Sequence, residues 1–329
     1  MMLVRSKWCL QLTALLLLIM LASGCGAGQN VQTNAQEGQS SSKESAEAAT
    51  EAVRVIKHAM GTTEVKGTPQ KVVTLYQGAT DAVVQLGVKP VGAVEAWIEK
   101  PWYLYIRDKM DGVTNVGSET QPNLEEIIAL KPDLIIGTKT RHEKIYEQLS
   151  AIAPTVIEED HYHWKTTLHL SAEALNKVKE EKDFLAEWDK KVAGIKEKLG
   201  AESKAKVAIV DFRADHARLF YNTFPNLVLQ EVGFSFPGKE GGSDFAKLTT
   251  KESIPQMNAD LIFDMTSMDR DDGRVETRKE WTSHPLWSNL DAVKNNKVFP
   301  VNPATWTNGS GPKAAMIMLD DITTLFELK

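Results

Sequence analysis

The sequence lacks an apolar run long enough to span a membrane as a helix, which takes about 18 or more residues. The apolar stretch near its start, Leu15 to Leu21, falls well short of that length. Basic residues precede this stretch and small residues follow it, an arrangement typical of a secretory signal. We therefore expect residues 1–24 to form a signal peptide that is absent from the mature, exported protein.

Cysteine is almost absent, because the chain has only Cys9 and Cys25. Cys9 lies inside the expected signal peptide, so the mature chain keeps no thiol pair for a disulfide and must rely on a packed core. The string Leu21-Ala22-Ser23-Gly24-Cys25 resembles the lipobox of bacterial lipoproteins, with Ala22 where Leu is commoner. This resemblance implies that Cys25 carries a lipid anchor on the extracytoplasmic face of the cell membrane.

Two further absences exclude classes of function. The net charge is −6 and no basic tract occurs, which argues against nucleic-acid binding. The chain also lacks the Gly-x-Ser-x-Gly, His-Glu-x-x-His, P-loop and dinucleotide-binding glycine motifs. The turn Asn308-Gly309-Ser310-Gly311 is rich in glycine but lacks the spacing of a nucleotide-binding loop. We therefore do not expect an enzyme.

The histidines are too poorly spaced for a metal site. His161 and His163 form a compact pair and His169 follows, but no cysteine or carboxylate stands at a convincing spacing from them. We expect no metal ion or cofactor to be bound directly by the protein.

The rest of the chain shows the alternation of a two-domain α/β protein. Residues 25–52 have almost no large apolar side chain and predict a flexible tether. Short apolar runs then predict buried strands at Val72–Tyr76, Pro90–Val94 and Leu134–Ile136, with helical segments between them. This order favours parallel sheets.

A segment around Glu125 recurs around Glu252. Without a gap, Ile127 aligns with Ile254 and Asp133 with Asp260, and both segments predict a helix, a turn and a strand. Helix–turn–strand units of α/β proteins look alike in general, but a register kept over a dozen residues favours two lobes built on one plan.

Between the repeats, apolar positions at helical spacing predict one long connecting helix over residues 168–200. Gly200 is a plausible end for it. The predicted division is therefore an N-terminal lobe at 53–167, the connector, and a C-terminal lobe at 201–329. The C-terminal lobe is expected to open with a strand at Val207–Phe212 and to end with a strand at Val298–Val301 and a helix from Pro312.

These blocks resemble the class of solute-binding proteins in which one rigid helix joins two α/β lobes with the ligand cleft between them. The resemblance rests on Pro122–Ile136, on Lys251–Phe263 and on Asp291–Phe299. Within the class the chain is similar to the ferric-siderophore lipoproteins of Gram-positive bacteria. The resemblance implies that a monomer captures a ferric siderophore and delivers it to an ABC permease, with the iron carried inside the siderophore.

The resemblance also gives roles to Glu125 and Glu252, because the class uses one acidic residue in each lobe to engage arginines of the permease. Each glutamate begins a predicted helix, so a structural role at the positive end of the helix dipole is the alternative. We favour permease docking, since opposite charges on the two partners speed their encounter.

The ligand residues are sought where strands end, because ligands of open α/β sheets bind beyond the carboxyl ends of the strands. Anionic, oxygen-rich iron complexes suit arginine, and aromatic side chains add apolar area. Three clusters meet this description; Arg141 also matches an arginine of the related proteins. The clusters are Arg141 and His142, then Arg213, His216, Arg218 and Tyr221, then Trp306 and Asn308.

Two other loops are candidates with an open alternative. Trp102, Tyr103 and Arg107 follow the strand ending at Val94, and either they contact the ligand or the aromatics cover the core of the lobe. Arg274 and Arg278 lie after Phe263-Asp264, in and beyond the polar run from Asp269 to Arg274, which is either a rim of the pocket that orders on binding or a mobile loop.

The class of cargo is left open in part. The Arg-x-x-His-x-Arg string and Trp306 favour a hydroxamate or citrate-based siderophore. Haem or cobalamin is the alternative in the same fold, with Tyr221, His142 or His216 as a possible axial ligand of haem. A catecholate siderophore is a second alternative.

Overall fold

The computed structural model describes residues 52–236, 244–270 and 272–328, which belong to one compact unit. The expected signal peptide, Cys25 and nearly all of the expected tether lie outside the described residues. Among the described residues, no helix is both long and apolar enough to cross a bilayer.

Two five-stranded sheets organise the chain. The strands are β1 Val53–His58, β2 Gly61–Lys66, β3 Val72–Thr74, β4 Gly92–Ala93, β5 Thr114–Asn115, β6 Gly117–Ser118, β7 Gln121–Pro122, β8 Leu134–Thr138, β9 Thr155–Glu158, β10 Val207–Phe212, β11 Ala217–Phe220, β12 Phe245–Leu248, β13 Leu261–Asp264 and β14 Val298–Pro300. The first sheet, in the order β5-β4-β3-β8-β9, is parallel throughout. We call the part of the chain built around it the N-terminal lobe.

The second sheet, in the order β12-β11-β10-β13-β14, defines the C-terminal lobe. Strands β10, β13 and β14 are parallel, and β11 and β12 add an antiparallel edge. Every residue of β8, β10 and β13 is buried. Strands covered on both faces require unbroken apolar runs, which is why these segments were recognisable in the sequence.

Helices cover the sheets and connect the lobes. The α-helices are α1 Gln77–Gln85, α2 Leu124–Leu130, α3 Lys139–His142, α4 Tyr146–Ile152, α5 Trp164–Leu175, α6 Val178–Leu199, α7 Phe224–Val232, α8 Arg274–Thr282, α9 Pro285–Ser288, α10 Asp291–Lys294 and α11 Pro312–Leu325. Shorter turns of 3-10 helix occur at Arg107–Lys109, Glu143–Ile145, Gly200–Lys204 and Lys251–Met257, and Ala304–Asn308 is a π-helical turn.

The repeated segments make equivalent contacts in the two lobes. A carboxylate oxygen of Asp133 accepts the backbone N–H of Lys71, just before β3, at 2.8 Å. Asp260 accepts the backbone N–H of Lys206, just before β10, at the same distance. The aspartate of each repeat therefore ties the turn of its unit to the start of the first strand of its sheet. The expectation of two similar α/β lobes is confirmed.

The connector differs from the continuous helix predicted over 168–200. It consists of α5, which begins earlier than expected, and the 22-residue α6. Between them Asn176 adopts a left-handed conformation with φ of 58°, and the N–H of Lys177 bonds to the carbonyl of Ala172 at 2.8 Å. This is a Schellman-type end, which asparagine tolerates better than most residues. The apolar spacing continues through the break, so the periodicity alone does not reveal it.

The largest apolar cluster lies behind the cleft and draws on both lobes. It contains Val72 of β3 and Phe263 of β13, Trp164 and Trp188 of the two connecting helices, and Met318 of α11, all nearly inaccessible to solvent. The indole rings of Trp164 and Trp188 pack edge to face at 4.7 Å. The lobes are therefore joined by packed side chains as well as by the connector.

Candidate functional site

A cleft of about 310 Å³ opens between the two lobes. Its lining comes from segments that follow the parallel strands, as in Gln77 after β3, Arg141 after β8, Arg213 after β10 and Met265 after β13. This is the edge at which ligands of open α/β sheets bind. The lining carries five arginines and two carboxylates, so it is positively charged; these are Arg141, Arg213, Arg218, Arg270, Arg274, Glu119 and Asp211.

The C-terminal lobe gathers three of these arginines around one buried carboxylate. Arg213 Nη2 lies 2.6 Å from Asp211 Oδ2, and the Arg218 guanidinium stacks over the Phe245 ring at 4.8 Å from its centre. Burial raises the pKa of Asp211, while Arg213, Arg274 and Arg218 oppose the shift. Asp211 therefore acts as a counter-charge that allows like charges to share a small volume.

Arg274 is held from another direction. Its Nε and Nη2 donate to the two carboxylate oxygens of Asp272, each at 2.7 Å. This paired geometry fixes the plane of the guanidinium group and lowers the pKa of Asp272 to about 2. Arg274 thus reaches the cleft in one defined orientation, although its loop was predicted only as a possible rim.

Some buried donors of this group have no partner among the described residues. These are the Nε atoms of Arg213 and Arg218. Asp211 Oδ1 is a buried acceptor that also has no hydrogen-bond partner among the described residues. A buried polar atom without a partner costs free energy, since it has lost its hydrogen bonds to water. An anionic ligand rich in oxygen would supply acceptors for the two N–H groups.

The N-terminal lobe contributes Arg141 and a second buried carboxylate. Arg141 Nε lies 3.8 Å from Glu119 Oε2, and Glu119 Oε1 accepts the backbone N–H of Gln77 at 2.8 Å. Burial raises the pKa of Glu119, opposed by the bond from Gln77, by Arg141 and by a hydrogen bond to the Trp97 side chain. One carboxylate therefore positions three residues of the lining.

His161, considered above as a metal ligand, lines the same wall. Its Nδ1 is 3.2 Å from the Thr140 hydroxyl. Burial, with the charge of Arg141, lowers the pKa of His161 to about 4, so the ring is neutral at physiological pH. Among the described residues, no three His, Cys, Asp or Glu side chains are grouped to hold a metal ion.

Arg270 bridges the lobes at the cleft. Its Nη2 donates to the backbone carbonyl of Trp97 at 2.6 Å. The Trp97 side chain is itself 39% exposed and lines the cleft. Sequence reasoning included Arg270 only as part of a polar run that was either a rim or a mobile loop. It missed Trp97, because it placed the aromatic contact of that loop a few positions later.

Of the predicted ligand residues, Arg141, Arg213, Arg218 and Asn308 line the cleft. The predicted aromatic residues do not. Trp306 is fully buried, where its indole N–H donates to Asp321 Oδ2 at 2.7 Å. Trp102 and Tyr103 belong to a buried cluster of the N-terminal lobe. The alternative of core packing is therefore correct for this loop, and Trp306 is a core residue.

The predicted histidines lie behind the lining. His142 is fully buried, accepts the backbone N–H of Thr138 at 3.0 Å with Nδ1, and has Nε2 at 3.0 Å from the carbonyl oxygen of Glu119. Burial lowers its pKa to about 4, so it acts as a neutral brace between two loops. His216 is 8% exposed and pairs with Asp215. Neither ring is part of the lining.

The remaining predicted residues also lie away from the lining. Arg107 donates to the backbone carbonyl of Trp102, and Arg278 Nε donates to the buried Asp264 at 2.6 Å. Tyr221 packs against an apolar cluster of the C-terminal lobe. All three residues follow a strand in sequence, but their side chains contact neighbouring residues of their own lobe instead of the cleft.

A model of the periplasmic binding protein family matches residues 72–305. The chain belongs to this family. It is 42% identical over 324 residues to the probable siderophore-binding lipoprotein YfiY of Bacillus subtilis, covering 94% of this chain and 95% of YfiY. It is 40% identical to the achromobactin-binding periplasmic protein of Dickeya dadantii, covering 77% of this chain and 85% of the relative.

Among solved structures of this family type, the chain is similar to Staphylococcus aureus SirA complexed with staphyloferrin B. The TM-score is 0.80 at 45% identity, and the match covers 84% of this chain and 99% of SirA. A two-lobe periplasmic binding protein fold was expected from the sequence blocks, and these comparisons confirm it.

Proposed function

We propose that this protein binds a ferric siderophore in the cleft and delivers it to an ABC permease for iron uptake, without catalysing a reaction. The observation that carries the proposal is the lining, where five arginines face two carboxylates and two buried N–H donors have no partner in the described part of the chain. A chelate that already satisfies its iron with its own oxygen atoms presents a negative, oxygen-rich outer surface. Guanidinium groups match such a surface with paired, charge-assisted hydrogen bonds.

The sequence favoured a hydroxamate or a citrate-based siderophore. Of these two types, the positive charge of the lining favours the citrate-based complex, which is anionic, over a neutral hydroxamate complex. The name of one similar protein supports this direction, since YfmC of Bacillus subtilis, 33% identical to this chain, is named an Fe(3+)-citrate-binding protein. Haem receives less support, because Tyr221, His142 and His216 lie outside the lining. His161 and Tyr162 do line the cleft, so haem is retained as an outcome of the test.

The test is a fluorescence titration of the purified protein, in which Trp97 reports on the cleft. Ferric schizokinen, ferric staphyloferrin B, ferric citrate, ferrioxamine, ferric enterobactin, haem and cobalamin are titrated separately. We expect saturable quenching at submicromolar concentration by a citrate-based complex. The Arg141→Ala variant is expected to bind this complex with an affinity about tenfold or more lower, because it loses one charge-assisted hydrogen bond.

Arg107→Ala is the matched control, because Arg107 bonds to a backbone carbonyl away from the lining. Its affinity should stay within about twofold of the parent protein, a difference of less than 0.5 kcal/mol. Binding of haem or cobalamin alone, or equal losses in the two arginine variants, would contradict the proposed ligand site.

The proposal includes a lipid anchor at Cys25 on the extracytoplasmic face of the cell membrane. The lipobox-like string supports it, and YfiY is named a lipoprotein. It also includes permease docking through Glu125 and Glu252. Both are exposed in the first turn of the repeated helices, and Asn123 rather than a glutamate side chain caps α2. The charges of the two glutamates are therefore available to a partner.

Reversing both charges, with Glu125→Arg and Glu252→Arg together, is expected to lower iron uptake by about tenfold or more, since like charges across an interface cost several kcal/mol. Uptake of radioactive iron is measured in cells that carry the variant as their only copy. Glu197→Arg, a reversal at an exposed site on α6, is the control and should leave uptake unchanged. Siderophore affinity of the double variant should equal that of the parent, and a loss of affinity would argue against a docking role.

A further inference from the structure

The glycine-rich turn Asn308–Gly311 contributes Asn308 to the lining, but what holds the turn in place has not been described so far. It joins the π-helical turn to α11, and Thr307, Asn308 and Ser310 line the cleft. It therefore presents part of the C-terminal lobe to the ligand. What fixes its position decides where those side chains lie relative to the N-terminal lobe.

The turn is held by Asp81, a fully buried residue of α1 in the N-terminal lobe. Asp81 Oδ1 accepts the backbone N–H of Lys313 at 2.7 Å, and Oδ2 accepts that of Ala314 at 3.1 Å. The Tyr105 hydroxyl donates to Oδ2 at 2.8 Å. The two N–H groups belong to the first turn of α11, whose donors have no partner within their own helix.

Helix α11 has no cap of its own. Its N-cap residue is Gly311, which has no side chain to accept these N–H groups. A carboxylate at this end also interacts favourably with the helix dipole. The cap of α11, the last helix of the chain, is thus supplied by α1 of the N-terminal lobe.

The glycines of the turn permit this close approach. A Cβ atom on Gly311 would lie 2.3 Å from Asp81 Cβ, and one on Gly309 would lie 2.5 Å from the Tyr105 hydroxyl. A Cβ on Gly78 would lie 2.8 Å from the carbonyl oxygen of Ser310. Gly311 has φ of −127°, so it is required for space rather than for an unusual backbone conformation.

We propose that Asp81 is a positioning residue for ligand binding, which caps α11 from the N-terminal lobe and so fixes Asn308 and Ser310 against the N-terminal wall of the cleft. This inference rests on the proposed siderophore function. Tyr103 adds a parallel link, because its hydroxyl donates to the carbonyl oxygen of Asn308 at 3.2 Å. Tyr103 therefore holds the start of the turn at Asn308, and Asp81 holds the helix that begins directly after its end.

Protonation should loosen this cap. Burial raises the pKa of Asp81 to about 6, opposed by the bonds from Lys313, Tyr105 and Ala314 and by the Lys313 charge. Because the folded pKa lies above the unfolded one, the proton stabilises the fold at low pH, and that stabilisation is lost as pH rises through about 6. Three donors fit the ionised carboxylate better than the neutral acid. Acidification is therefore expected to weaken the hydrogen bonds that cap α11. The free energy of unfolding nevertheless rises at low pH, because protonation removes the cost of burying the Asp81 charge.

The test compares Asp81→Asn with Asp133→Asn by titration with ferric schizokinen and ferric staphyloferrin B. Asp133 is a matched control, because its carboxylate also accepts two backbone N–H groups but within one lobe. We expect Asp81→Asn to weaken binding by about tenfold or more, since small misplacements of binding groups have large effects. Asp133→Asn should stay within about twofold, a difference below 0.5 kcal/mol. Equal affinities in the two variants would overturn the proposal.

A second readout needs no ligand. Amide hydrogen exchange at Lys313 and Ala314 should be faster in Asp81→Asn by about tenfold or more, as expected for a lost local hydrogen bond. Tyr105→Phe, which removes one donor and keeps the carboxylate, is the milder variant and should show a smaller change in the same direction. Unchanged exchange would overturn the inference. If the parent protein binds no siderophore, the proposed function fails, and a positioning role in siderophore binding fails with it even where exchange reveals the cap.

The pH profile separates positioning from a merely structural role. Between about pH 7 and 5, the affinity of the parent protein should fall more steeply than that of Asp81→Asn, which has no carboxylate to protonate. Burial also raises the pKa values of Glu119 and Asp211 in the cleft, but both residues are present in the two proteins, so their contribution is the same in both profiles. Parallel profiles would contradict the role of Asp81.

Discussion

Arg213→Ala is expected to abolish tight binding of an anionic ferric siderophore and to destabilise the protein as well. The change removes the ion-pair partner of Asp211, whose side chain is 3% exposed. Arg274 and Arg218 remain beside Asp211, so we expect a loss of about 1–3 kcal/mol in unfolding free energy rather than the full cost of an unpaired buried charge. Affinity should fall by about 100-fold or more, because a hydrogen-bonded cation is lost while the Asp211 carboxylate stays in the lining and repels the ligand. Denaturant unfolding and fluorescence titration measure the two effects.

Two controls separate stability from binding. Arg213→Ala combined with Asp211→Asn removes the Asp211 charge as well, so it should recover much of the stability without recovering the affinity. Arg278→Ala breaks a pair of the same 2.6 Å geometry with Asp264, which lies outside the lining. It should lose stability and keep its affinity. Recovery of tight binding in the double variant would show that Arg213 does not contact the ligand.

Trp306→Ala is expected to produce the largest loss of stability among substitutions of the predicted ligand residues. The ring is fully buried and packs on Phe263 at 4.7 Å between centres. Such a truncation costs about 3–5 kcal/mol. Trp306→Phe keeps most of the ring but leaves Asp321 without its indole donor, so a loss of about 1–3 kcal/mol is expected. Denaturant unfolding measures both.

Binding distinguishes the core position of Trp306 from a ligand contact. Trp306→Phe should keep its siderophore affinity within about twofold, less than 0.5 kcal/mol. Trp97→Ala is the comparison variant, because Trp97 is partly exposed in the lining of the cleft. This variant should lose siderophore affinity with little change in the free energy of unfolding. A variant of Trp306 that binds poorly but unfolds normally would restore the original prediction of a ligand contact.

The fold was predictable because strands that are buried on both faces of a sheet appear in the sequence as continuous apolar runs. The runs Val207–Phe212 and Leu134–Ile136 have no polar alternation, and the aspartates of the repeat recur because each ties a turn to a strand. The break at Asn176 escaped prediction because one left-handed residue does not disturb the spacing of apolar side chains.

The site was predictable only to the level of loops. Position after a strand identifies Arg213 and Arg141 as well as it identifies His216 and His142, yet only the arginines reach the lining. Which side chain reaches it depends on local partners, as Asp215 for His216 and Thr138 for His142. These partners are set by backbone turns, whose geometry the spacing of residues does not encode.

The apolar cluster shared by both lobes predicts that the protein folds as one cooperative unit. A fragment ending before Trp164 would lack the connecting helices and α11, which share an apolar cluster with Val72 and Leu134. Neither half of the chain carries a complete interior, although each carries a complete sheet. We therefore expect the two lobes to unfold in one transition rather than one after the other, although each follows the same plan.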